Sequence, residues 1–241
     1  MRINADYTQR AVEKPSAAKW RASPAPGVER RMLDRVGEEV AVATSVVRYA
    51  AGSRFPVHVH EHGEEFLVLD GVFSDSSGDY GPGCYVRNPP GTSHAPWTDA
   101  GTTILVKLRQ FDHRDLRQFS VDTANAQWAP AEFPGCDVLR LHEFDTEIVA
   151  MYRLAAGARI PDRDVPGGEE IYVVAGAIDC DGEACEADTW IRNPPGAAAG
   201  FTAIEDSVLW IKRGHLHPSF GPDRWRAFEQ KNASANAEAH T

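Results

Sequence analysis

Short apolar runs separated by turn residues make up most of the chain. Segments such as EVAVATSVVRYAA, EEFLVLDGVF, CYVRNPP and TTILVKLRQF are rich in Val, Ile, Leu, Phe and Tyr, and Gly, Pro, Asp and Ser interrupt them. No core segment carries a long 3.6-residue period. The pattern predicts short strands joined by turns, hence an antiparallel sandwich or barrel of the jelly-roll type. Within a strand, alternate residues share a face. Glu64, Phe66 and Val68 therefore point together, as do His58 and His60 just upstream.

The pattern occurs twice. RYAAG at 48–52 returns as RLAAG at 153–157, GEEFLVLDG as GEEIYVVAG, VRNPPG at 86–91 as IRNPPG at 191–196, and ILVK at 104–107 as LWIK at 209–212. Each match has the same shift of 105 residues, as from Glu64 to Glu169. Upstream, Trp20 and Pro26-Gly27 return as Trp128 and Pro134-Gly135 at a shift of 108, so the second copy is shorter there. Several matches at one shift indicate duplication. The expected fold is all-β, with two tandem jelly-roll barrels packed together. The expected division is an arm at 1–17, a first barrel at 18–117, a second at 118–220 and a C-terminal tail at 221–241.

Composition narrows the function classes. The 241 residues are 42% hydrophobic and 25% charged, as in an ordinary globular protein. A net charge of −10 argues against a phosphate-backbone grip on nucleic acid. No apolar run reaches membrane-spanning length, and MRINADYTQR lacks the apolar centre of a signal peptide. The four cysteines (84, 136, 180 and 185) form no C-x-x-C site and fit a reducing cytoplasm.

The chemistry concentrates in HVHEHGEEFLVLDG, residues 58–71. His58 and His60 share a face, Gly63 permits a tight turn, and Glu64 opens the next strand. In GCYVRNPPGTSH, a rigid Pro-Pro-Gly corner sets down His94. Three imidazoles and one carboxylate converging inside a barrel make a divalent metal site. With one anionic ligand, the centre carries a single net positive charge, which favours a bound anion, enolate or hydroxide.

At these residues the chain resembles the cupin family, and most closely its ChrR-type branch. Gly52, His58-x-His60, Glu64 and Gly71 are similar to the first cupin motif in spacing, and Gly83, Pro89-x-Gly91 and His94 to the second. The second motif departs at Thr98, where the family often has Asn. The resemblance covers both halves. It implies jelly-roll barrels with a metal held by His58, His60, Glu64 and His94. His62, one pleat further along, is expected at the solvent surface, with support of a metal ligand or proton transfer as the alternative.

The second copy acts as an internal control. Arg163, Val165 and Ala199 stand where His58, His60 and His94 stand, and only Glu169 survives, opposite Glu64. The second barrel is expected to be metal-free, with Arg163 turned inward onto Glu169 in place of the cation. Polar residues found in both copies are expected to serve the fold, in corner hydrogen bonds or ion pairs between strands: Glu65 and Glu170, Arg87 and Arg192, Asn88 and Asn193, Lys107 and Lys212. Phe66, Val68, Tyr85 and Trp97 are candidate pocket-lining residues, with core packing an equal reading for Phe66 and Tyr85. Cys84 is expected to be a packed thiol. Cys180 and Cys185 are expected to be idle thiols, with loop closure or metal binding as the alternatives. His215 and His217 lie beyond the last repeated strand and are left out of the site.

Two function classes follow. A centre of three histidines and one glutamate resembles the non-heme Fe(II) dioxygenases that cleave diketones or hydroxyketones. Zn, Mn or Ni could occupy the same ligands. The alternative is a regulatory or sensing cupin, zinc-bound and without catalysis. ChrR-type anti-sigma factors carry a similar cupin beside an N-terminal zinc-binding domain. Residues 1–45 contain no His and no Cys, so that domain is expected to be absent. The expected partner is a small molecule, and exposed barrel sheets suggest a homodimer.

Overall fold

The computed structural model describes residues 1–17 and 19–216. Every regular element among them is a strand, and none is a helix long and apolar enough to cross a membrane. The chain forms two jelly-roll barrels packed face to face.

The main sheet of the first barrel runs, in spatial order, Arg2–Ile3, Val28–Gly37, Ala41–Tyr49, Thr102–Leu108, Glu64–Gly71, Cys84–Asn88 and Phe119–Asp122, with Arg21–Ala22 beside Val28–Gly37. Two small hairpin-like pairs cover its other side: His58–Val59 with Ser93–His94, and Phe73–Asp75 with Gly78–Tyr80. The second barrel repeats the plan. Its main sheet runs Ala129–Pro130, Cys136–Phe144, Glu147–Leu154, Ser207–Arg213, Glu169–Ala175, Trp190–Asn193 and Ala11–Glu13. A four-stranded sheet, Arg159–Val165, Ala197–Ala203, Ala177–Cys180 and Glu183–Glu186, closes the other side.

Glu64–Val68 is buried on both faces, so the centre of the strand, FLVL, reads as an apolar run rather than an alternation. Phe66 and Val68 point into the barrel, against Val47, Phe73, Val86, Ile104 and Val106. Leu67 points the other way, into a core shared by both barrels with Val46, Tyr85 and Leu105 from the first and Met151, Tyr172, Trp190 and Trp210 from the second. The face that carries Leu67 is covered by the chain's own second half, as expected of two barrels packed together.

The two halves exchange strands. Ala11–Glu13 precedes the first barrel in sequence but pairs with Trp190–Asn193 of the second. Phe119–Asp122 falls after the expected boundary at 117 but pairs with Cys84–Asn88 of the first. The registers correspond: Ala11 lies opposite Arg192, and Phe119 opposite Arg87. The segment expected as an arm thus gives Arg2–Ile3 to the first sheet and Ala11–Glu13 to that of the distant barrel. The duplicated arginines clamp these crossings. Arg192 donates to the carbonyls of Asn4 (2.6 Å) and Asp6 (2.9 Å), and Arg87 donates to Asp115 (2.6 Å).

The duplicated lysines and glutamates are structural, but they link barrels rather than strands of one barrel. Lys107 of the first barrel donates to Glu170 of the second at 2.6 Å, and Lys212 of the second donates to Glu65 of the first. All four side chains are at most 1% exposed. Burial alone would raise Glu65, but Lys212 and Arg87 hold it far below the usual carboxylate range.

Candidate metal centre

The centre is assembled by two loops whose backbones lock together. His58 lies opposite His94 across the short antiparallel pair. The His60 amide donates to the Thr92 carbonyl (2.8 Å), and the His60 carbonyl accepts from Gly91 (2.9 Å) and Gly63 (3.3 Å). Gly63 has φ +81°, and a Cβ there would lie 2.4 Å from the Phe111 ring. Only glycine satisfies both constraints. The turn then delivers Glu64 to the start of its strand, opposite Asn88.

His58, His60, Glu64 and His94 each present a ligand atom, and these atoms all lie within 4.8 Å of one another. Glu64 Oε1 is 3.5 Å from His60 Nε2 and 3.6 Å from His94 Nε2. The outer nitrogens fix the tautomers. His58 Nδ1 faces the Pro56 carbonyl at 3.3 Å, which can only accept. His60 Nδ1 lies 2.9 Å from Thr92 Oγ1, whose own proton goes to the Pro89 carbonyl at 2.7 Å. His94 Nδ1 lies 3.0 Å from Asp75 Oδ2. Each Nδ1 therefore carries the hydrogen, and each Nε2 lone pair is left to face the centre.

His60 Nε2 and Glu64 Oε1 are buried without a hydrogen-bond partner. Buried polar atoms are rarely left so, and a divalent ion at their common focus satisfies both. Burial, with His94 and His58 nearby, pushes His60 down to about 3. His94 is lowered, mainly by burial. Burial pushes Glu64 up to about 7, against the effect of Asn88. His60 and His94 are thus neutral imidazoles, and Glu64 is an acid that gains by meeting a cation.

Phe66 and Phe73 pack with ring centroids 4.6 Å apart and planes tilted by 49°, and Phe73 lies 5.8 Å from the His94 ring. With Val68 they form an apolar wall beside the ligands. Tyr85 does not belong to it. It pairs with Leu67 rather than Phe66, so parity turns it into the core between the barrels, where its hydroxyl donates to Glu65. Trp97 is half-buried, and its backbone bridges Arg54 and Ser74. His62 is 8% exposed and therefore buried, contrary to the expected surface position. The turn folds under Phe111, whose amide donates to the His62 carbonyl. Thr98 is buried and accepts from the Gly101 amide at 3.0 Å. It has a turn-stabilising use in place of the family's Asn.

In the second barrel Arg163 points inward and donates to Glu169, as the sequence led us to expect. Arg213 also donates to Glu169, at 2.9 Å. Sequence reasoning missed this second cation, although the 105-residue shift places it opposite an unremarked Leu108. Val165 and Ala199 are buried and offer no donor atom. The backbone frame nevertheless persists: Arg163 lies opposite Ala199 as His58 lies opposite His94. A further acidic group, Asp115, His142 and Glu147, is close enough to hold a metal. Arg87 already contacts both of its carboxylates, and Lys212 contacts Glu147, so protein cations fill that role. Cys84, Cys136, Cys180 and Cys185 are free thiols. His215 is a buried partner of Glu170 at 3.0 Å, and His217 lies outside the described residues.

A family model described as the ChrR cupin-like domain matches residues 8–112 and again 116–217. No curated protein matches the chain. Among solved structures, the chain is similar to a protein from Nostoc punctiforme provisionally assigned as a dioxygenase, with 16% identity, 88% of this chain and 86% of that chain covered, and a TM-score of 0.71. It is similar to a bacterial pirin from Escherichia coli in complex with nickel(II), with 13% identity, 85% and 98% covered, and a TM-score of 0.63. It is also similar to salicylate 1,2-dioxygenase from Pseudaminobacter salicylatoxidans, with 14% identity, 87% and 85% covered, and a TM-score of 0.58. At these identities the likeness is one of fold.

Proposed function

We propose, from the premise that this chain belongs to the family of ChrR cupin-like domains, that it is a single-metal bicupin acting as a dioxygenase-like enzyme on a small oxygenated substrate of the diketone or hydroxyketone type. The observation that carries the reading is the set of three imidazoles, each locked with Nδ1–H outward, converging with a carboxylate whose Oε1 is buried without a hydrogen-bond partner. His58, His60, Glu64 and His94 would hold Fe(II), with Zn, Mn or Ni able to occupy the same donors. A metal so held supplies Lewis acidity and, if iron, one-electron chemistry.

The chain's own residues account for the rest. Thr92, Asp75 and the Pro56 carbonyl orient the rings. Phe66, Phe73 and Val68 exclude water on the inner side, which strengthens electrostatic contacts to a bound enolate. His58 lies at the solvent edge, between exposed Val57 and Val59, so substrate enters past it. Two similar folds described as dioxygenases support the chemistry. Metal analysis of anaerobically purified protein, followed by oxygen uptake with a β-diketone and hydroxyacetophenone panel, tests it. Iron with substrate-dependent uptake is expected. Stoichiometric zinc with no uptake would favour the second reading, a ligand-sensing cupin, which the ChrR family description supports.

A further inference from the structure

Only one of the three imidazoles is backed by a charge. His94 Nδ1 lies 3.0 Å from Asp75 Oδ2, both side chains being 5% exposed. The other carboxylate oxygen, Oδ1, accepts from the Ser77 amide at 2.7 Å and faces the Tyr80 hydroxyl at 3.4 Å. Two backbone hydrogen bonds between Ser74 and Trp97, 2.9 and 2.8 Å, fasten the Phe73–Asp75 strand to the segment that follows His94. The carboxylate is thereby held against the ring by main chain on both sides.

The twin barrel offers a comparison within the molecule. The shift of 105 places Cys180 opposite Asp75 and Cys185 opposite Tyr80. The supporting frame is conserved between the halves, since Asp179 lies opposite Thr202 as Ser74 bridges Trp97. The hairpin therefore folds with a thiol in place of the carboxylate. Where the imidazole is lost, at Ala199, the acid is lost as well. The carboxylate accompanies the ring, not the hairpin.

We propose that Asp75 is a positioning residue of the metal centre: it holds His94 as the Nδ1–H tautomer, aims Nε2 at the ion, and adds the second negative charge that brings a divalent centre to neutrality. This rests on the metal reading above. Its consequence for the substrate is specific. With Glu64 alone the centre would carry a single net positive charge and attract free anions. With Asp75 counted, anions gain little, and the centre favours a neutral ketone.

Asparagine distinguishes the roles. Its single oxygen cannot serve both His94 and Ser77, and its amide would present hydrogens to one of them. In apoprotein, long-range 1H–15N NMR should show His94 as the Nδ1–H tautomer in the wild type and shifted toward Nε2–H in Asp75→Asn. Zinc affinity, measured by chelator competition, should fall about ten- to a hundredfold. Asp75→Cys, which copies the twin barrel, should fold and lose affinity similarly. Tyr80→Phe, which touches the same carboxylate but not the ring, should change neither tautomer nor affinity. An unchanged His94 tautomer in Asp75→Asn, or an equal loss in Tyr80→Phe, would overturn the proposal. A wild type with the expected tautomer that binds no zinc would instead overturn the metal centre on which it rests.

Discussion

Replacing Lys107 with Met tests the idea that reciprocal buried ion pairs hold the barrels together. Lys107 and Glu170 are 1% and 0% exposed and 2.6 Å apart, so no solvent can take over when the ammonium is removed. Breaking a buried pair by removing one partner costs about 3–5 kcal/mol. The low end, about 3 kcal/mol, is expected here, because His215 (3.0 Å) and the Trp190 indole (3.1 Å) still donate to Glu170. That is roughly a 150-fold loss in the folding equilibrium, against a typical total of about 5–15 kcal/mol.

The pH dependence is signed. In the wild type, burial works to raise Glu170, but Lys107 and His215 hold it well below its ordinary value. Its contribution is therefore present above the unfolded carboxylate value and is lost as pH falls through the folded one. Without Lys107, burial prevails and the folded value rises above the unfolded one. The native state then binds a proton in that window, and the penalty grows with pH. Urea unfolding followed by tryptophan fluorescence should show a larger deficit at pH 8 than at pH 5. Lys107→Met combined with Glu170→Gln should recover most of it. A deficit under about 1 kcal/mol at pH 8, a deficit independent of pH, or additive single and double substitutions would refute the reasoning.

Other consequences follow from the site. Gly63→Ala combines a left-handed backbone with an overlap on Phe111 and should cost about 2–4 kcal/mol in thermal or urea unfolding; a neutral effect would show that the turn relaxes freely. Glu64 is pushed up to about 7 by burial, so a metal must displace its proton below that value. Zinc affinity should then fall about tenfold per pH unit from this group, and the Glu64→Gln variant should lose that part of the slope. Since the backbone frame persists in the second barrel, Arg163→His, Val165→His, Ala199→His and Arg213→Leu together, with Glu169 kept, should add a second zinc equivalent per chain by titration calorimetry. Unchanged stoichiometry would mean that the first site needs more than its four ligands.

The ligand set was legible because it depends on local rules. Strand parity joins His58 to His60, one turn brings Glu64 round, and a proline corner places His94. What lay on the far face of each strand was not legible. Parity gives two faces but does not say which neighbour covers the second. Tyr85 was therefore left open between pocket and core, and His62 was placed at the surface, where Phe111 in fact covers its turn. Asp75 escaped notice because nothing in its local sequence marks it; only its place opposite Cys180 in the shifted copy could have done so.

By itself, the sequence determined the strand type, the duplication, the four convergent donors and their loss in the second copy, since each is written in spacing of a few residues or in one constant shift. The tertiary structure decided the exchange of strands between halves, the crossing of Lys107 and Lys212 to the opposite barrel, and the carboxylate behind His94. Those contacts join residues far apart along the chain, from 19 between Asp75 and His94 to 181 between Ala11 and Arg192. At such separations, local preference no longer selects a partner. Packing of the two sheets does, because buried charges tolerate only the arrangement in which each meets its opposite.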